Sequence, residues 1–139
     1  MKKILVAHNC GEPHDKALKV AVDLADQMGA HLSVVSVVLE MHIAEMDDVD
    51  KRRVIDASRD ESRVAVKRAL APRDMNAHEI DFIVEYGVVA EKVLEVIGRV
   101  GAEMLIVGSH GRHGAARVLL GSVSSKLVDL APCPVLVVK

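Results

Sequence analysis

Apolar residues along this chain fall into short continuous runs and into runs with helical spacing, and the two kinds alternate. Ile4 to Ala7 reads as a first buried strand. Residues 14–28 then place Ala17, Leu18, Ala21, Leu24, Ala25 and Met28 on one helical face, and Gly29 stops that helix. Leu32 to Val38 is a second strand. Residues 40–50 carry Glu40, Glu45, Asp47, Asp48 and Asp50 and read as an exposed, mobile connection, with a partner-binding lid as the alternative. The highly charged helix that follows has apolar positions at Val54, Ala57, Val64, Ala65 and Leu70 and continues to Pro72. Ile80 to Val84 is a third strand; Val89, Val93, Val96 and Ile97 mark the next helix, ended near Gly98 or Gly101. Met104 to Val107 is a fourth strand. Val123, Leu127, Leu130 and Ala131 have the spacing of a last helix, and Pro132 and Pro134 punctuate the entry to a last strand, Val135 to Val138.

The alternation predicts an α/β fold, a parallel sheet with helices on both faces. At 139 residues the chain reads as a single domain, 1–139. Half of it is hydrophobic, yet Phe82 and Tyr86 are its only aromatic residues. The core must therefore be aliphatic, and its β-branched runs favour buried strands. A net charge of -2 argues against nucleic acid as a main partner. No apolar run reaches transmembrane length, so no membrane insertion is expected. The apolar N-terminus is too short for a secretion signal and is broken by His8, Asn9, Glu12, His14 and Asp15. Cys10 and Cys133 are too few for a disulfide framework and read as reduced thiols in a cytoplasmic protein.

The candidate chemistry lies after the fourth strand, in Gly108-Ser-His-Gly111, then nine residues, then Gly121-Ser122-Val123-Ser124. A glycine has no Cβ and lets backbone approach a ligand closely. A helix opening with Gly-Ser offers unpaired N–H groups and a positive dipole end to an anion. The pattern suggests a cradle for nucleotide phosphates, without the lysine of a Walker loop. If the strand order is 3-2-1-4-5, strands one and four are neighbours where the winding reverses, and ligands of open α/β sheets bind at that point. His8, Asn9 and Cys10 leave strand one there, and Gly108 to Gly111 leave strand four there.

Plainer readings accompany each feature. The glycines can serve only as terminators, and Ser122 and Ser124 as helix caps, although capping and phosphate binding share one geometry. Arg112, His113 and Arg117 fit phosphate neutralisation and a solvated face equally. His8-x-Cys10-x3-His14 has the look of a metal site but lacks the four firmly spaced ligands of a zinc centre, so no metal ligand is assigned. No clear general base stands near the phosphate loop, and no catalytic residue is assigned.

The spacing G-x2-G-x9-G-S resembles the nucleotide-binding signature of the universal stress protein family, in its single-domain, ATP-binding branch. Lys3-Ile-Leu-Val-Ala7 resembles the family's first strand, Tyr86-Gly-Val-Val-Ala90 its turn into the next helix, and Pro132-Cys-Pro-Val-Leu-Val-Val138 its closing strand. The resemblance implies a Rossmann-like open five-stranded parallel sheet of order 3-2-1-4-5 and a cytoplasmic homodimer. It implies ATP as ligand, with ADP or AMP as alternatives, and Mg or Mn accompanying the phosphates. Carried over, Gly108, His110, Gly111, Gly121, Ser122 and Val123 surround the phosphates, and Ser124 donates its hydroxyl to a phosphate oxygen. The backbone of Val37 meets the adenine edge, and Ala7 and Val107 line base and ribose, beside His8 and Asn9. The family's usual aspartate after strand one is here Asn9, which hydrogen-bonds a ribose hydroxyl but brings no carboxylate charge for a divalent cation. The expected function is an ATP-binding regulatory or stress-response dimer that pairs through Val135–Val138 and signals to an unknown regulated protein. The alternatives are a slow ATP hydrolase and a scaffold dimer that binds no nucleotide.

Overall fold

The computed structural model describes residues 1–8, 12–70, 80–109 and 121–139. Its elements are, in chain order, β1 (Lys3–Ala7), α1 (Glu12–Met28), β2 (His31–Leu39), α2 (Glu40–Ile43), α3 (Asp48–Leu70), β3 (Ile80–Gly87), α4 (Val89–Val100), β4 (Met104–Gly108), α5 (Ser122–Leu130) and β5 (Val135–Val138). The five strands form one sheet, every pair parallel, in the order β3-β2-β1-β4-β5. The expected Rossmann-like architecture is the one observed.

Strand residues alternate between two cores. Ile4 and Val6 of β1, Leu32 and Val34 of β2 and Ile106 of β4 face α1 and α3, where Leu18, Ala21, Val22 and Val66 cover them. Leu5, Val35, Val37, Leu105 and Val107 face α4 and α5, where Val93, Val96, Ile97 and Leu127 cover them. Burial on both faces is why the central strands are continuous apolar runs rather than alternating ones.

Two boundaries differ from the sequence reading, each for a physical reason, and a third is decided between two alternatives. First, α1 begins at Glu12, before residue 14. Pro13 is tolerated there because first-turn N–H groups have no intrahelical acceptor to lose. Second, residues 40–50 are not an open connection. They include α2, Ile43 is buried, and Asp47 caps α3 by accepting the Asp50 N–H at 2.8 Å. The acidic run is a helix start: Asp48 and Asp50 sit at the positive end of the α3 dipole. Third, α4 passes through Gly98 and stops at Gly101, whose φ of 68° is the left-handed cap that glycine supplies without strain.

The buried face of α3 also departs from expectation. Ala57 and Val64 are exposed, whereas Ser62 and Val66 are buried and Ser58 is half-buried. The side chain of Leu70 lies outside the described residues. The seam is partly polar: Ser58 Oγ lies 3.0 Å from Ser36 Oγ on β2. Serines are invisible to a count of apolar spacing, so the count joined Val54 and Ala65, on the half-buried side, to Ala57 and Val64, which face solvent. Val66→Ala therefore lowers stability by about 1–3 kcal/mol while Val64→Ala stays within about 0.5 kcal/mol of the parent, as read from urea unfolding.

Candidate functional site

β1 and β4 are neighbours through Ile4–Met104, Leu5–Leu105 and Val6–Ile106. From β1 the chain winds toward β2 and β3, and from β4 toward β5. The connections therefore separate at the carboxyl ends of these two strands, and Ala7, His8, Val107 and Gly108 come together there. The site residues Asn9, His110 and Gly111 lie outside the described residues, as do Cys10, Arg112, His113 and Arg117.

The opening of α5 is tied to the end of β4. Ser109 N–H donates to Val138 O at 2.9 Å, and Gly121 N–H donates to Ser109 O at 2.9 Å. The buried Ser124 hydroxyl donates to Gly108 O at 2.6 Å. The chain that leaves at Ser109 thus returns beside it at Gly121. The first intrahelical bond runs from Ser125 N–H to Gly121 O, so the N–H groups of Ser122, Val123 and Ser124 have no acceptor among the described residues. No side chain among the described residues caps the helix. Three backbone donors and the positive end of a helix dipole consequently stand at the switch point. Ser124 was expected to offer its hydroxyl to a ligand. Here that proton goes to Gly108, and the side chain acts as a clamp between helix and strand.

Gly121 has φ -62° and ψ 160°, an extended conformation open to any residue. Its backbone does not demand glycine, so a simple terminator role gives no reason for one.

Val37 lies in β2, two residues before that strand ends at Leu39, with its side chain in the core beneath α4. β2 pairs with β1 as far as Val35, yet continues beside β3 to Leu39 and Gly87. The resulting overhang, Ser36 to Leu39, forms a step above the end of β1. From that step to β4 is two strand spacings, about 10 Å.

His8 extends β1, its N–H donating to Val35 O at 2.8 Å. Its side chain has the parity of Ile4 and Val6 and is fully buried on the α1 face. Nε2 lies 2.9 Å from Asp15 Oδ1 in the first turns of α1. Sequence reasoning missed Asp15 as a site residue. Strand parity was the available signal: a histidine in step with buried Ile4 and Val6 must find a polar partner. Cys133 lies at the opposite edge of the sheet, before β5, where burial pushes its thiol up despite a backbone hydrogen bond involving Leu105. A raised thiol is held in its less nucleophilic form.

The universal stress protein family model matches residues 1–139, the whole chain. The chain belongs to the universal stress protein family. The universal stress protein YxiE of Bacillus subtilis is 32% identical over 145 residues, covering 99% of this chain and 98% of that one. Among solved structures, a universal stress protein in complex with cAMP matches with a TM-score of 0.70 at 21% identity, covering 99% of this chain and 95% of that chain. The universal stress protein from Archaeoglobus fulgidus in complex with dAMP matches with a TM-score of 0.67 at 16% identity, covering 100% of this chain and 98% of that chain. Among the described residues, no helix of this universal stress protein is long and apolar enough to cross a membrane.

The clamp is directly testable. Ser124→Ala removes a buried hydrogen bond and leaves Gly108 O without its hydroxyl partner, so stability falls by about 1–3 kcal/mol in urea unfolding. Ser122→Ala, at an exposed position, leaves stability within about 0.5 kcal/mol of the parent.

Proposed function

We propose that the cleft between β1, β4 and α5 binds an adenine nucleotide, with ATP the first candidate and ADP or AMP the alternatives, and that its occupancy is read by another protein. The opening of α5 carries this reading. Backbone donors of Ser122, Val123 and Ser124 stand at the switch point beside a glycine that the backbone does not require. Such a helix start suits a phosphate group. The β2 overhang, Ser36 to Leu39, stands two strand spacings, about 10 Å, from β4 and offers the backbone of Val37 to the adenine edge. The ligands of the two solved relatives, cAMP and dAMP, share an adenine and a phosphate and differ at the sugar and in whether the phosphate is cyclic. Gly108 and Gly111 take the phosphates with Gly121, and Asn9 hydrogen-bonds the ribose. Without a carboxylate at residue 9, Mg or Mn enters as a companion of the phosphates rather than as a tightly held ion. Nucleotide alters a surface only through binding one conformation better than another, so the regulated partner must distinguish those conformations.

The test is mass spectrometry of small molecules released from gently purified protein, followed by titration with ATP. Gly121→Val should weaken ATP binding by roughly 10-fold or more while leaving the unfolding midpoint close to the parent, because φ of -62° suits valine. Absence of any adenine nucleotide, together with no ATP binding at millimolar concentration, rejects the reading.

A second part of the proposal is a homodimer through β5. The two edge strands differ. β3 carries Asp81 and Glu85, paired with His31 and Arg99, whereas β5 is Val-Leu-Val-Val with every residue half-buried. A charged edge resists strand addition and an apolar one invites it. α5 packs against β5 and leaves Val123, Val128 and Leu130 exposed. Pro134 and Val138 turn their carbonyls to β4, so the intervening odd residues Val135 and Val137 turn N–H and C=O to the outer edge. Val137→Pro therefore deletes an outward donor without touching the β4 ladder. In sedimentation at micromolar concentration the parent should run as a dimer and Val137→Pro as a monomer.

A further inference from the structure

β5 lies at an edge of the sheet, with β4 as its sheet neighbour and every residue half-buried. Its ladder with β4 is closed by a backbone bond at each end. Leu105 N–H donates to Pro134 O at 2.9 Å, and Ser109 N–H donates to Val138 O at 2.9 Å. The second of these bonds reaches the candidate cleft. Ser109 O accepts Gly121 N–H at 2.9 Å, and Gly121 opens α5, where the N–H groups of Ser122, Val123 and Ser124 stand. The Ser124 hydroxyl adds a parallel tie at 2.6 Å to Gly108 O, and Gly108 is the residue in register with Val138. The last residue of the edge strand is therefore two backbone hydrogen bonds from the helix start.

Val138 is joined to Val137 by a planar peptide. The Val137 carbonyl of that peptide lies on the outer edge, and its Val138 N–H lies toward β4. A second copy that takes the outward groups of Val137 fixes this plane, and with it the Val138 carbonyl that holds Ser109. A strand with one neighbour and half-buried residues belongs to the less stable part of a sheet. Each opening at Val138 releases Ser109, whose own carbonyl sets Gly121 at the mouth of α5. Backbone donors bind an anion best when they are already in place. Pairing at β5 therefore supplies ordering that the nucleotide must supply by itself in a single chain.

We propose that nucleotide binding and pairing through β5 are coupled, so that the dimer binds ATP more tightly than the single chain and ATP tightens the dimer. The proposal rests on the adenine-nucleotide cleft and the β5 dimer together, and makes the second copy of this chain a reader of occupancy. The sign follows from the hydrogen bonds. Pairing stabilises the arrangement in which the three N–H groups of α5 are set, and nucleotide stabilises the same arrangement, so each favours the other. Linkage requires the two effects to be equal for each site. Val138, Ser109 and Gly121 carry the effect within one chain.

The experiment is ATP titration of the parent at protein concentrations below and above its dimer constant, with Val137→Pro as the monomer. Sedimentation of the parent with and without saturating ATP accompanies it. The dimeric parent should bind ATP roughly 5-fold or more tightly than the diluted parent, and Val137→Pro should match the diluted parent. Saturating ATP should tighten the dimer by that factor once per site, about 25-fold for two sites. Dilution involves no substitution, so a folding defect in Val137→Pro does not imitate the result. Equal ATP affinity above and below the dimer constant, or a dimer constant that ATP does not move, overturns the coupling while the cleft and the dimer stand. A dimer that binds no ATP rejects the nucleotide reading, and a chain that binds ATP yet stays monomeric rejects the dimer; either result rejects the coupling as well. Amide exchange in nucleotide-free protein supplies the separate readout. The amides of Ser109 and Gly121 should exchange roughly 5-fold or more slowly in the dimeric parent than in Val137→Pro. Ala30 N–H, bonded to Ala25 O at the end of α1, should exchange alike in both. Equal exchange at Ser109 and Gly121 overturns the coupling whether or not ATP binds.

Discussion

Because β1 pairs with β4 through Ile4–Met104, Leu5–Leu105 and Val6–Ile106, the chain must leave these neighbours toward opposite sides of the sheet. Ligands of open α/β sheets bind at such a reversal, beyond the carboxyl ends of the strands, where backbone groups are most available. Every feature of the candidate site depends on this reversal. It sets α1 to one side and α5 to the other, and places His8 and Gly108 on adjacent strands. It also leaves the end of β2 standing as a step beside the gap.

Backbone supplies most of the chemistry that the described part of this cleft offers. The donors of the α5 start are fixed by two attachments to the end of β4, through Gly121 N–H and the Ser124 hydroxyl. Such donors need no rotamer to be frozen on binding, which favours pre-organised recognition of an anion. The side-chain polarity that does enter lies beneath the surface on the α1 and α3 face, in His8, Ser36, Ser58 and Ser62. An aliphatic core that makes no polar demand surrounds this group, so each of its hydrogen bonds counts in positioning α1 and α3 against the sheet.

Much of the fold was legible in residue pattern. Each of the five strands was placed within three residues at either end, since runs such as Leu32–Val38 and Met104–Val107 have no helical alternative of sufficient length. Helix starts were less legible. Asp47 looks like one more solvated acid until it is seen accepting the Asp50 N–H. The α3 face was read only in part, at Val54 and Ala65, because serines at 58 and 62 replace the apolar residues that a periodicity count relies on, while Val64 faces solvent. The switch point was legible in Gly108 and Gly121 and in the residues that end β1 and β4, because backbone chemistry leaves a spacing in the chain. The hydroxyl of Ser124 was not: its partner, the carbonyl of Gly108, stands sixteen residues away.

The sequence by itself determined the kind and succession of elements, the parallel sheet they imply and the G-x2-G-x9-G-S spacing, because periodicity, turn chemistry and motif spacing are properties of neighbouring residues. Tertiary structure alone decided which face of α3 is buried, that Asp15 meets His8, and that Ser124 holds the end of β4. Those outcomes depend on groups that the sheet brings together from distant parts of the chain. A donor or acceptor buried by packing must take the partner that packing supplies.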